Sequence, residues 1–423
     1  LSAVADQFGV ARPPYGGSAG GVLSPGLMRL VLAYVWISVA SISVVLADPA
    51  PPDILIMGLA LLLPVVGLVR YTPGLALYMM IWCLIIVGGL IATTQAGIFD
   101  VPVKHTVITL YLAFTSVVLA GFISSDPPRY IRLIMSAYLF AAVIAAIAGI
   151  MGYFGVAGTY DLFTEYGRAK GTFQDPNVFG AFLVPAILYC FNTVLRSKAP
   201  KALLTIGIAA ILILGCLLSL SRGSWINLIV SMAIFSYLTF ITAQQNRRRV
   251  QLLFYLLLGI LFAVGLVVAV LSVPSFADLF GQRFAFEQSY DAGPEGRFGG
   301  QLRAIGVILD HPLGYGALEF ARIYKKGDVH QVYLSMFLNT GWLGGVLFIG
   351  LVLGTVFLGI RRVLGGGNAD GLGAVVVAGF TGAVLEGVVI DIDHWRHLFL
   401  LMAIVWGMAL ASPPGASAAM RRD

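Results

Sequence analysis

Two short segments carry the residue types that act on charged substrates. Ser221-Arg222-Gly223 lies between two long apolar runs, on the side where a short turn is expected to lack positive charge. The arginine there has a bland reading, as an interfacial anchor with its stem along the hydrocarbon or as a cap on the preceding helix. Its other reading is an anion site, because a guanidinium fork grips two phosphate oxygens at once. The second segment is His330-Gln331, followed after nine residues by Gly341-Trp-Leu-Gly344. A neutral histidine can take the proton of an attacking hydroxyl, although a lone interfacial histidine is more often structural. Gly-x-x-Gly on its own says only that another helix can approach closely.

Three further places call for weighing. In Lys170-Gly-Thr-Phe-Gln-Asp175-Pro176-Asn177, Asp175 reads as a helix N-cap and Pro176 as the first helical residue. The preceding Arg168 and Lys170 find nothing nearby in sequence that pairs with both. Asp391-Ile-Asp393-His394-Trp395-Arg396-His397 has the residue types of a metal site, yet Asp-x-Asp sites normally serve nucleotide sugars on the cytoplasmic side. Pairing of these acids with arginines is the expectation instead. Glu386 lies inside an apolar run, where an ionised acid costs about 2.5–3.5 kcal/mol at mid-helix, so a partner arginine or a protonated carboxyl is expected.

The elements that must hold these groups are membrane helices. Of 423 residues, 59% are hydrophobic and 11% charged, against roughly 25% charged in a soluble domain. With a mean hydropathy of +0.92, a soluble surface is excluded. The net charge of +6 comes mostly from lysines and arginines that flank apolar runs, so it does not indicate nucleic-acid binding. Cys83, Cys190 and Cys216 lie within apolar runs and read as small hydrophobes. Leu1–Gly21 is polar, with no cleavable signal peptide evident.

Apolar runs near 26–46, 53–69, 74–94, 104–123, 130–154, 177–195, 202–220, 224–242, 252–273, 332–360, 371–390 and 395–411 predict about twelve spans. Alternate loops carry Arg70, then Arg129 and Arg132, then Arg196, Lys198 and Lys201, then Arg247 to Arg249, then Arg361 and Arg362, with Arg421 and Arg422 in the tail. By the positive-inside rule these are cytoplasmic and both termini lie inside. The fold expected is all-α and integral to the membrane: one polytopic domain over 1–423, with a periplasmic insertion at 274–331. The chemically interesting residues then gather at one rim and no internal repeat stands out, unlike a transporter built from repeats with a midplane site.

At this point the residues resemble a known superfamily. His330-Gln331, nine residues, then Gly341-x-x-Gly344 is similar to the signature of bacterial O-antigen ligases. Ser221-Arg222-Gly223-Ser224-Trp225 resembles that family's Ser-Arg-Gly turn, and Asp310-His-Pro-Leu-Gly314-Tyr-Gly316 resembles the loop before its histidine. The resemblance spans roughly 170–410 and does not separate O-antigen ligases from Wzy-type polysaccharide polymerases. It implies a metal-independent, inverting glycosyltransferase with the C-type membrane fold, no cofactor, and a periplasmic site on the bacterial inner membrane. The donor implied is a saccharide on undecaprenyl diphosphate, and the acceptor a sugar of lipid A–core or a growing glycan. His330 takes the catalytic role; Arg222, Arg297 (in Glu295-Gly-Arg297), Arg168 and Lys170 take the donor diphosphate. Gln331, Arg303, Asp391, Asp393, His394 and Arg396 are candidate supporting groups.

Overall fold

The computed structural model describes residues 23–47, 50–272, 277, 280–281, 297–324, 329–368 and 370–411. The polar start of the chain, the tail arginines and most acidic residues of the 274–331 insertion lie outside this set.

Every predicted apolar run contains a helix. They are α1 (Pro25–Ala40), α2 (Pro51–Val65), α3 (Pro73–Thr93), α4 (Asp100–Ile123), α5 (Pro127–Tyr153), α7 (Pro176–Arg196), α8 (Ala199–Leu218), α9 (Arg222–Thr242), α10 (Asn246–Leu271), α13 (Val332–Leu364), α14 (Leu372–Glu386) and α15 (Arg396–Leu410). Eight of them are long and apolar enough to cross a membrane. The other four, α1, α2, α14 and α15, have 15 or 16 residues, about 22–24 Å at helical rise. Between the long helices lie a four-residue α6 (Tyr160–Phe163) and a two-stranded antiparallel hairpin, β1 (Thr164–Glu165) with β2 (Arg168–Ala169). The insertion is not simply a loop: it contains α11 (Arg297–Asp310) and α12 (Glu319–Tyr324).

Many helix starts follow one local rule. Ser24-Pro25, Thr72-Pro73, Asp126-Pro127 and Asp175-Pro176 each place an oxygen-bearing cap before a proline, and each cap side chain accepts a backbone N–H of the first turn. The proline lacks the N–H that would otherwise be orphaned there, and its φ is already helical. Asp175 and Pro176 therefore take the capping positions their sequence predicts.

The apolar helices run alternately up and down, so their ends sort into two sets. At one end, the Arg70 N–H bonds Gly121 O, Asn192 Nδ2 bonds Asp370 O, and Asn368 Nδ2 bonds Thr242 Oγ1. That end carries Arg70, Arg129, Arg196, Arg247 to Arg249, Arg361 and Arg362. The opposite end gathers the starts of α4, α7, α9, α13 and α15.

The centre of the bundle is α4, α7, α14 and α15. In α15 every residue from His397 to Met408 is buried, whereas α10 buries only Leu252 and Val270. Burial on all sides marks a central helix, and α10 lies at the periphery. In hydrocarbon, close packing and satisfied polar groups hold helices together. Gly407 of α15 lies against Ile123, and Gly379 of α14 against Pro185, where a Cβ would collide or crowd. Tyr78 OH meets Ser116 Oγ at 2.6 Å, that hydroxyl contacts Phe399 O at 2.9 Å, and Tyr138 OH donates to Phe182 O at 2.7 Å.

Candidate active site

The segment that carries His330 is built around a break in α13. Gly341 has φ 66° and ψ −173°, a conformation open in practice to glycine alone. The break exposes backbone groups, and the loop 310–316 takes them. Tyr315 N–H donates to Leu338 O at 2.7 Å and Trp342 N–H to Pro312 O at 2.9 Å, while the Trp342 ring nitrogen donates to Ile308 O at 2.9 Å. A Cβ on Gly341 would come within 2.7 Å of the Leu313 carbonyl carbon. On the other side α3 crosses closely, and a Cβ on Gly88 would meet Thr340 O at 2.5 Å and Gly344 N at 3.3 Å. Gly341 thus makes room for the loop, Gly88 lets α3 approach, and a Cβ on Gly344 would collide with the Thr340 side chain one turn earlier in its own helix.

The same loop is pinned from below. Gly314 and Gly316 have φ 91° and 95° and pack against Ala92 and Ala96 at the end of α3. Glu319 is 3% exposed and grips Arg322, with Nη2 to Oε2 at 2.6 Å. Its bond to Arg322 holds the Glu319 carboxyl below the usual carboxylate range. On α11, Ala304, Val307 and Ile308 pack with Phe320, Val329 and Leu338.

His330 is exposed and has φ 48°, unusual for a residue with a side chain. Such strain persists only where the surroundings impose it, and here Val332 N–H is anchored on Gly387 O at 3.0 Å. Gln331 is the N-cap of α13; its Oε1 is buried and has no hydrogen-bond partner among the described residues.

Arg222 opens α9, and Leu220 just before it also has φ 48°. Each motif segment therefore enters its helix through a left-handed, non-glycine residue. Ser221 caps α9 by accepting Ser224 N–H at 3.3 Å. Ser224 Oγ lies 3.1 Å from Glu386 Oε1, and Asn227 Nδ2 donates to Glu386 Oε2 at 2.8 Å. Gly223 faces this carboxyl, and a Cβ there would approach Oε1 to 2.8 Å. The described partners of Glu386 are thus a serine and an asparagine; of the two sequence expectations, a partner arginine or a protonated carboxyl, the arginine is not among them.

Glu386 is the last residue of α14, and Gly387 follows it. One short stretch thereby touches both motifs, Ser224 beside Arg222 through Glu386 and Val332 beside His330 through Gly387. Tyr333 OH adds a bond to Val384 O at 2.7 Å.

The other cations divide. Arg168 is 8% exposed; its Nε donates to Ser219 O and its Nη2 to Asn177 Oδ1, both at 2.8 Å. These contacts brace the turn that presents Arg222. Lys170 is half-buried in the same segment, its backbone N–H on Phe163 O. Arg303 lies over the Tyr324 ring, 5.2 Å from its centroid. The backbone of Arg297 begins α11, while its side chain lies outside the described residues.

The 391–397 segment is tied to three helices. Asp391 Oδ1 accepts Ser335 Oγ at 2.6 Å in the first turn of α13. Arg396 grips Asp53 of α2 through Nε at 2.7 Å and Nη2 at 2.8 Å. Asp393 Oδ2 meets His105 Nε2 at 3.1 Å, and His394 Nε2 meets Thr109 Oγ1 at 3.0 Å. Arg396 pairs with Asp53, an acid outside the segment, and the described partner of Asp393 is a histidine that sequence reasoning passed over. Burial lowers the His394 pKa to about 4, which favours a neutral imidazole. Burial alone would raise Asp393, but the neighbouring His394 and His105 rings hold it below its usual range.

Residues 207–349 match the O-antigen ligase family. The matched stretch runs from α8 into α13 and includes Ser221-Arg222-Gly223, Arg297, His330 and Gly341-x-x-Gly344. No curated protein matches the chain. The matched region carries both motifs, and the match supports the likeness of this part of the chain to the superfamily of O-antigen ligases and Wzy-type polysaccharide polymerases.

Proposed function

We propose that this protein is an O-antigen ligase-type glycosyltransferase of the bacterial inner membrane. It moves a saccharide from undecaprenyl diphosphate to a sugar hydroxyl of lipid A–core on the periplasmic face. The observation that carries this reading is the end of α14, where Glu386 and Gly387 join the Arg222 turn to the His330 segment. An arginine suited to a diphosphate and a histidine suited to a hydroxyl proton are thereby built into one end of the bundle, opposite the basic loops. All twelve apolar helices cross the membrane in this reading, both termini are cytoplasmic, and the insertion is periplasmic.

The chemistry follows from charge. The acceptor oxygen attacks the anomeric carbon, His330 takes its proton, and the bond to the diphosphate breaks with inversion. Negative charge grows on the departing undecaprenyl diphosphate. Arg222 and Arg297, aided by Lys170, neutralise that charge in place and make a metal unnecessary for the step. Arg168 acts by holding the turn, because Ser219 and Asn177 engage its guanidinium. Gln331, Arg303 and the Asp391–Arg396 segment shape the surroundings. The polyprenyl tail stays in the bilayer, which accounts for a transferase placed among apolar helices.

A polymerase would use the same donor chemistry and differ in its acceptor, a second lipid-linked glycan. Purified protein given the lipid-linked donor and each acceptor separately tests both points. Transfer to lipid A–core that survives excess EDTA is the expected result. Transfer only to a lipid-linked glycan would establish the polymerase. Activity lost to EDTA and restored by Mg²⁺ or Mn²⁺ would overturn the metal-free mechanism.

A further inference from the structure

The first turns of α4 and the α14–α15 turn bring together three side chains to which the transfer reading assigns no chemical step. His105, Asp393 and His394 each offer a ligand atom, and these atoms all lie within 4.8 Å of one another. Tetrahedral bonds of about 2.0–2.1 Å would hold such atoms roughly 3.3 Å apart. The His105 Nε2 to Asp393 Oδ2 distance is already 3.1 Å.

The hydrogen bonding around the trio also suits a ligand set. Thr109 Oγ1 donates its single hydrogen to His105 O at 3.1 Å. Its 3.0 Å contact with His394 Nε2 engages one ring nitrogen, and in the tautomer with Nε2–H the lone pair of His394 is on Nδ1. That is the outer-shell device that fixes the tautomer of a metal-bound histidine. The rings of His105 and His394 lie 4.0 Å apart, centroid to centroid. Rigid neighbours frame the group: Arg396 is clamped to Asp53, and Asp391 is bonded to Ser335.

We propose that His105, Asp393 and His394 form a site for a borderline transition-metal ion, Zn²⁺ above all, that staples the start of α4 to the α14–α15 turn. Two imidazoles and one carboxylate suit Zn²⁺ better than Mg²⁺ or Ca²⁺, which favour oxygen ligands. The site uses none of the donor arginines and does not depend on the transfer reading.

The test uses full-length protein in detergent, purified without a polyhistidine tag, stripped with chelator and titrated with Zn²⁺. One tight equivalent should bind and raise the thermal unfolding midpoint, and Co²⁺ should give visible absorption bands of a nitrogen-ligated ion. His105→Ala and Asp393→Asn should each abolish saturable binding, whichever of them elutes as folded protein. Thr109→Val, which leaves all three ligands, should weaken affinity roughly ten- to hundredfold. Zn²⁺ binding that is absent from the wild type, or equally tight in a folded His105→Ala or Asp393→Asn protein, would overturn the site and leave the trio as an ion pair. Should neither variant fold, absence of Co²⁺ bands in the wild type overturns it, and bands weakened in Thr109→Val support it.

Discussion

Trp342 donates its backbone N–H to the carbonyl of Pro312 at 2.9 Å, immediately after the break in α13 at Gly341. The bond joins the Asp310–Gly316 loop to the helix that follows His330. The loop motif and the histidine motif are therefore two halves of one joint.

Gly341→Ala should open that joint. A side chain there meets both a forbidden φ and the Leu313 carbonyl, at a strain of about 1–3 kcal/mol. Gly354, in the same helix with nothing within 4 Å of a built Cβ, provides the contrast. Its change to Ala should be neutral or stabilise by up to about 1 kcal/mol. Thermal unfolding of the two variants in one detergent checks the opposite signs.

Arg168→Ala removes a buried guanidinium that holds Ser219 O and Asn177 Oδ1. Hydrogen bonds from a charged group contribute about 1.5–3 kcal/mol, so the unfolding midpoint should fall together with transfer. A raised KM for the lipid-linked donor with an unchanged midpoint would instead make Arg168 a direct donor contact.

Arg222→Lys should be nearly as impaired in transfer as Arg222→Ala. Lysine keeps the charge but not the planar fork that engages two phosphate oxygens. Full activity in the lysine variant, measured with lipid-linked donor, would reduce Arg222 to a point charge or an interfacial anchor.

Topology follows from the charge pattern of the loops. Reporter fusions at Arg248 and Gly300 should report opposite compartments, cytoplasmic and periplasmic respectively. The same compartment for both would sink the proposed arrangement.

What the sequence made legible was local. Apolar runs announced the helices, and Ser-Pro, Thr-Pro and Asp-Pro pairs announced their starts, because both signals are written in adjacent residues. The break at Gly341 was hidden, since Gly-x-x-Gly is equally the pattern of a close helix crossing, and here the glycine that lets α3 approach is Gly88. The brace role of Arg168 was hidden for another reason: Ser219 lies 51 residues away along the chain. Glu386 was conspicuous as an acid in an apolar run, yet its partners Ser224 and Asn227 are ordinary polar residues of a distant helix. His105 gave no signal at all. It became interesting only when α4 was packed against the turn that holds Asp393 and His394.

The central claim is that His330 serves as the base for glycosyl transfer. The most direct measurement compares purified wild type and His330→Ala, both folded, with lipid-linked saccharide and acceptor. Loss of at least about two orders of magnitude in turnover, the usual contribution of a positioned general base, with donor binding retained, is the predicted result. Near-normal turnover by the folded His330→Ala protein would contradict the account.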